Sequence, residues 1–328
     1  MSYPLKFQTI YKDKLWGGNK INTFLGKDFG NLPNCGESWE LSGVPGDVSI
    51  VSNGPWAGKD LKSVLAAHGS DVLGQQIYEK FGNDFPLLIK FIDASQDLSI
   101  QVHPDDALAL KRHNSLGKTE MWYVLQADPD ARLISGFNRP ITAKEYLAKF
   151  ESGQILEILN QELVQADDVF FLPAGRIHTI GKGLLIAEIQ QTSDITYRIY
   201  DFDRKDAHGN KRTLHVSESL DAIDYQFYPE HKTQYTSVDN QRISLVDCDY
   251  FTTNKLGLIE NSAIKSPEVS SFKIYICLEG DALISGPDEE TEMVKGETLL
   301  VPASMTHFQI KTNHGTVLLE TYIRNGTK

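Results

Sequence analysis

The chain is poor in cysteine and has no long apolar run. Its three cysteines, Cys35, Cys248 and Cys277, are odd in number and show no Cys-x-x-Cys spacing, which excludes a disulfide framework and a thiolate zinc finger and fits reduced thiols. Nowhere do 18 apolar residues run together, and the start Met1-Ser2-Tyr3-Pro4-Leu5-Lys6 has no apolar signal core, so a soluble, cytoplasmic protein is expected. Positive charge is short as well: 32 Lys and Arg against 44 Asp and Glu give a formal net charge of −12. Such a surface repels nucleic acid and anionic membranes, and neither is expected as a partner. It also mildly repels a phosphorylated small molecule, so any phosphate site needs a local cluster of cations.

What is present is ordinary globular composition, 41% hydrophobic and 23% charged over 328 residues, enough for two domains or two halves of one body. The stretch from Gly58 to Phe81 reads as helical, with Leu61, Val64, Leu65, Val72, Leu73 and Ile77 at roughly helical spacing. A second helical region, 142–161, opens on Thr142-Ala143-Lys144-Glu145, a capping box, and carries Tyr146, Leu147, Phe150, Ile155, Leu156 and Leu159. Most of the rest is short strands between Gly, Pro, Asn and Asp turns, the pattern of a β-sandwich or barrel.

An internal repeat sharpens that expectation. Asp168 to Ala174 aligns with Glu297 to Ala303, which sets His178 opposite His307, each five residues after its proline; Leu-Ile-Ser-Gly occurs at both Leu133–Gly136 and Leu283–Gly286. Two related β-barrels are implied. In the second copy Lys273 stands opposite Glu120, and no Gln-x-His pair precedes it. The second barrel is therefore expected to lack a metal and to support the first.

Four residues of the first copy carry chemistry. Gln101 and His103 are two apart in Leu98-Ser99-Ile100-Gln101-Val102-His103-Pro104, so an extended chain turns both to one face. Glu120 opens the apolar run Glu120-Met121-Trp122-Tyr123-Val124-Leu125, and His178 follows Pro173-Ala174-Gly175. Two imidazoles, one carboxylate and one neutral amide suit a Zn²⁺ site of catalytic type, leaving about one unit of positive charge on the metal. A histidine before proline is also a common structural residue, and the Glu120 to His178 separation has no local signature. Spacing alone leaves both readings standing.

Those segments, with Gly117-Lys118-Thr119-Glu120, Glu188-Ile189-Gln190-Gln191-Thr192-Ser193-Asp194-Ile195-Thr196-Tyr197-Arg198, Lys14 to Gly18 and Gly36 to Gly43, resemble a type I phosphomannose isomerase of the short bacterial form, over nearly the whole chain. The resemblance implies a mainly β, cupin-superfamily protein: two cupin-like β-barrels (jelly rolls) with a small helical region. Residues 1–215 would form a catalytic, metal-binding barrel with helical segments near 59–82 and 142–161, and residues 216–328 a second, degenerate barrel. It implies one Zn²⁺ per chain on Gln101, His103, Glu120 and His178, and interconversion of mannose 6-phosphate and fructose 6-phosphate. A monomer or weak homo-oligomer is expected.

The same resemblance assigns further roles. Arg198 would stabilise developing enediolate charge, and Glu188 and Lys118 are acid/base candidates; Ser99, Arg204 and Lys205 are candidates for holding the phosphate. The chain departs from longer members in reading Ile199 to Arg204 where they carry Ala-Gly-Leu-Thr-Pro-Lys, and Thr179-Ile180 follows His178 where they carry a tyrosine. Tyr197 and Tyr200 are nearby candidates to replace it. Two other classes compete. An Fe(II) dioxygenase would use two histidines and a carboxylate, but Lys118 and Arg198 serve an anionic sugar better than dioxygen. A non-catalytic sugar-phosphate sensor would not need a Lewis acid.

Overall fold

The computed structural model describes residues 3–205, 208–286 and 289–324. The chain is mainly β, and its strands pair antiparallel in three sheets. The first has the order Ile10–Lys12, Glu37–Leu41, Leu87–Ala94, Leu184–Gln191, Glu120–Ala127 and Val169–Leu172. The second runs Tyr197–Tyr200, Ile100–Val102, His178–Ile180, Arg132–Phe137 and Leu159–Leu163. Strands Leu87–Ala94 and Leu184–Gln191 are buried along their whole length. Both their faces are covered, so they read as near-continuous apolar runs rather than alternating ones.

Apolar side chains of the first two sheets, among them Trp122, Val124, Leu133, Phe170, Ile180 and Ile186, form one buried cluster. The polar side chains at one end of that interior make the site. Register explains which ones: Lys90 pairs with Trp39 and Glu188, Glu188 with Trp122, and Gln190 with Glu120. On the other sheet, Gln101 pairs with both His178 and Arg198.

The third sheet is built from residues after 240. Its 13-residue strand Lys273–Ser285 shifts register between Cys277 and Glu279. Before the shift it pairs with Thr298–Val301 and Thr316–Tyr322, and towards its end with Glu290–Val294 and Gln309–Thr312. A bulge bends a strand and raises its twist, and the change of partners curls this sheet into a half-barrel. It has its own apolar cluster, from Leu256 and Leu258 to Ile310 and Leu318. The largest cluster, however, joins both halves, with Leu5, Leu41, Val72 and Met121 packed among Ile274, Leu300 and Leu319.

Both helical regions exist, with altered limits. The first is two helices, Leu61–Leu73 and Gln75–Phe81, because Gly74 sits at φ 89, a conformation that ends a helix. Asp60 caps the first by accepting from the Ser63 N–H. In the second region only Ala143–Glu151 is α-helical. Thr142 accepts from the Glu145 N–H as a capping box requires, but the Glu145 carboxylate turns to Arg139 at 2.6 Å, so the reciprocal bond is not made. Ile155–Ile158 is a 3₁₀ turn and Leu159–Leu163 a strand on Arg132–Phe137, so strand pairing overrides the helical spacing there. Helices Asp106–His113 and Val216–Ala222 were not expected.

Candidate active site

His103, Glu120 and His178 are each buried, and one potential ligand atom from each lies within 4.8 Å of the others. His103 stands just past the strand Ile100–Val102, where Pro104 ends the pairing. Its Nδ1–H donates to the Ile195 carbonyl at 2.8 Å, and the Nδ1–H of His178 donates to the Arg176 carbonyl at 2.8 Å. These bonds fix both tautomers and turn both Nε2 lone pairs inward, the arrangement that orients metal-ligating imidazoles. The Nε2 atoms lie 3.6 Å (His103) and 3.3 Å (His178) from Glu120 oxygens. The Gln101 amide reaches the same point, 3.3 Å from His178 Nε2.

Charge in this group is arranged for a cation. Burial and the Lys118 ammonium pull His178 down to about 3, and the same two causes hold His103 well below its ordinary value, so both imidazoles are neutral. Burial, then the neighbouring Glu188, pushes Glu120 up to about 7. Both Glu120 oxygens are buried; Oε2 is ion-paired with Lys118 Nζ at 2.6 Å, and Oε1 has no hydrogen-bond donor. A buried carboxylate with one oxygen left without a donor, facing two neutral imidazoles, fits a divalent cation with N and O ligands. Among the described residues no other His, Cys, Asp and Glu group of this kind occurs.

Above this group opens a cleft of about 480 Å³, lined by Gln101, Lys118 and Glu188 on the side of the buried ligands and by Ser99, Arg198 and Arg212 on another. Glu188 accepts from Trp122 Nε1 at 2.8 Å and lies 3.2 Å from Lys90 and 3.9 Å from Lys118. Burial works against its charge, but those two ammonium groups outweigh it and lower its pKa. Lys118 has its pKa raised, since Glu120 and Glu188 overcome the burial that disfavours an ammonium. A larger hollow of about 730 Å³ is lined by residues such as Asp93, Asp128, Arg132 and Phe202 and touches none of these groups.

The seven expected residues Gln101, His103, Glu120, His178, Lys118, Glu188 and Arg198 thus converge, and Ser99 joins them by accepting from Arg198 Nε at 3.3 Å. Arg204 and Lys205 do not line the cleft. The Arg204 guanidinium is taken up by Asp201 and the Asp97 carbonyl, and Lys205 is exposed. Tyr197 and Tyr200 are absent from the lining too: the Tyr197 hydroxyl bonds His113 Nε2 at 2.7 Å and Tyr200 packs on Phe202. Sequence reasoning missed Lys90, Glu37, Arg212 and His215, which do line it. Lys273 and His307 form no counterpart. Lys273 is buried with its ammonium on the Val269 and Ser271 carbonyls, and His307 is exposed.

A mainly β protein with a buried potential metal group beneath a cleft rich in charged side chains of both signs fits a class, the metal-dependent β-barrel enzymes of small polar substrates. The comparisons with known proteins narrow it. Residues 5–129 match the model of the phosphomannose isomerase type I catalytic domain, and residues 241–319 that of the mannose-6-phosphate isomerase cupin domain. The chain is 35% identical to a mannose-6-phosphate isomerase of Bacillus subtilis over 94% of its own length and 96% of the relative's. It is 36% identical to that of Streptococcus mutans over 94% and 95%. A crystal structure of a Bacillus subtilis mannose 6-phosphate isomerase superposes with a TM-score of 0.86 at 32% identity, covering 98% of this chain and 99% of that one. The chain belongs to the type I phosphomannose isomerase family, and it is an aldose–ketose isomerase.

Proposed function

We propose that the chain interconverts mannose 6-phosphate and fructose 6-phosphate through an enediol, with one Zn²⁺ held by Gln101, His103, Glu120 and His178. The observation that carries this reading is the convergence of two neutral Nε2 atoms on a buried carboxylate whose Oε1 has no hydrogen-bond donor. A bound zinc would supply positive charge to stabilise the oxyanion of the enediolate. The chain's own residues do the rest. Glu188 and Lys118, 3.9 Å apart, are an ionised carboxylate and an ammonium on the cleft wall: Glu188 as base takes the C2 proton and returns it to C1, while Lys118 gives a proton to O1 and takes one back from O2, so that both end as they began. The Arg198 guanidinium offsets charge as the enediolate develops. Trp122, donating to Glu188, and Lys90 hold the carboxylate ionised and aimed.

We further infer a catalytic part and a second part, expected from residue 216 on, that holds no metal; the separate core of the third sheet supports such a part from Gln241 on, while residues before it stay with the catalytic part, Ile223 packing with Ile100 and Tyr197 and Lys232 bridging to Phe170. A coupled assay on mannose 6-phosphate, run with metal analysis of the same sample, tests the function. Isomerisation that tracks zinc content is expected, and isomerisation by metal-free protein would overturn the zinc assignment.

A further inference from the structure

Lys118 lies outside every strand: residues 114–119 join helix Asp106–His113 to strand Glu120–Ala127, and the ladder begins only at Glu120. A buried backbone N–H without a strand partner needs another acceptor. Gly117, Lys118 and Thr119 are all buried, and the N–H of each finds one. That of Lys118 donates to the Pro104 carbonyl at 3.1 Å. The N–H groups on either side of it go to side chains, Gly117 to Asp106 Oδ1 at 2.8 Å and Thr119 to Gln191 Oε1 at 2.9 Å. Gln191 Nε2 in turn donates to the same Asp106 oxygen at 3.0 Å, so one carboxylate and one amide bracket Lys118. Thr119 is held twice more, its carbonyl accepting from the Gln191 N–H at 3.1 Å and its Oγ1 from the Ala174 N–H at 3.2 Å. The fit is close. A Cβ on Gly117 would lie 2.5 Å from the Asp106 nitrogen and 2.6 Å from the Asp105 carbonyl carbon, against backbone that has no room to yield.

We propose that Asp106 and Gln191 are positioning residues for Lys118, fixing the backbone on both sides of it and thereby setting its ammonium between Glu120 and Glu188. The inference rests on the reading of Lys118 as the acid of the proposed mechanism and adds to it the residues that place it. The ammonium stands 2.6 Å from Glu120 Oε2 and 3.9 Å from Glu188 Oε1. A lysine reaches its target on a flexible four-carbon stem, so its aim depends on where the backbone starts it. Neither Asp106 nor Gln191 lines the cleft, so both act through Lys118 rather than on substrate. Both bonds to Asp106 fall on one oxygen, Oδ1. The bracket therefore needs an acceptor at that point and not a charge, and an asparagine carbonyl supplies one.

The test is steady-state isomerisation of mannose 6-phosphate by wild type, Lys118→Ala, Asp106→Ala, Asp106→Asn, Asp105→Ala and the double variant Lys118→Ala/Asp106→Ala, with zinc content measured throughout. Asp106→Ala is expected to lower kcat by roughly 10- to 100-fold, the scale of misplacing a catalytic group by about an ångström, with KM and zinc near wild type. Asp106→Asn should restore most of the rate. Asp105 is the control: its carboxylate caps the same helix by accepting from the Leu108 N–H at 2.8 Å, so Asp105→Ala should lose stability and keep kcat. In the double variant the loss should be no greater than in Lys118→Ala alone, since residues that act through one another are not additive. A kcat within twofold of wild type in Asp106→Ala, or losses that multiply in the double variant, would overturn the proposal; should Asp106→Ala not fold, Gln191→Leu carries the same comparison. A wild-type kcat in Lys118→Ala would instead defeat the reading of Lys118 as the acid, which keeps the two failures apart.

Discussion

Lys118 Nζ lies 2.6 Å from Glu120 Oε2 and 3.2 Å from His103 Nε2, so the one ammonium touches two of the proposed metal ligands. The two-residue step from Lys118 to Glu120 turns both side chains to one face at the start of strand Glu120–Ala127. With Glu188 only 3.9 Å away, the ammonium bridges the ligand group and the cleft carboxylate. Lys118→Ala should therefore retain zinc, whose four ligands remain, and lower turnover by about 10² or more, the range for general acid–base groups. Steady-state rates with metal analysis check this, and zinc loss in proportion to activity would make Lys118 a support for the ligands alone.

The proposed mechanism gives Arg198 a different task. Arg198→Ala is expected to keep fold and zinc and to lower turnover by about 10² or more, the scale for one electrostatic stabiliser of transition-state charge. Arg198→Lys should recover only part, because a point charge lacks the planar fork. A near-normal kcat in the alanine variant would remove it from the chemical step.

Glu37 gives a pH-dependent stability. Burial opposes its ionisation, but Lys90 and Lys14 outweigh burial and lower its pKa to about 2 from 4.5. A depressed folded-state value means that the unfolded chain binds the proton first as pH falls. The stabilisation is thus whole above about pH 4.5 and is lost as the pH approaches 2. At 1.36 kcal/mol per unit the shift is worth about 3 kcal/mol for a side chain only 13% exposed. Denaturant unfolding of wild type and Glu37→Gln should differ by that order at pH 7 and converge towards pH 2. A difference independent of pH would show that its ionisation does not contribute.

Of the proposed ligands, Gln101 and His103 were legible in the sequence as a local pair on extended chain, whereas Glu120 and His178, far apart in sequence, were joined to them only by the family resemblance. Lys90 was not legible, because it is the single basic residue in Leu87–Ala94, a strand buried on both faces where no alternation marks an inward polar position. Arg212 was hidden for another reason. Only the Asp201 ion pair and the bonds of His215 to the Arg198 backbone bring its loop to the cleft, and tertiary partners of that kind leave no periodic trace. Leu159–Leu163 was misread as helix since its apolar spacing continues that of Ala143–Glu151, while its pairing with Arg132–Phe137 comes from elsewhere in the chain.

The most direct measurement is zinc per chain against isomerisation rate, for wild type before and after chelation and for His178→Ala beside His307→Ala. The account predicts one zinc per chain, loss of rate on chelation and its return with Zn²⁺, since a site without thiolates releases its metal measurably. His178→Ala should lose most of both zinc and rate, and His307→Ala, whose imidazole is exposed and far from any ligand group among the described residues, should keep both. Full activity in verified metal-free protein, or equal zinc loss in the two variants, would contradict it.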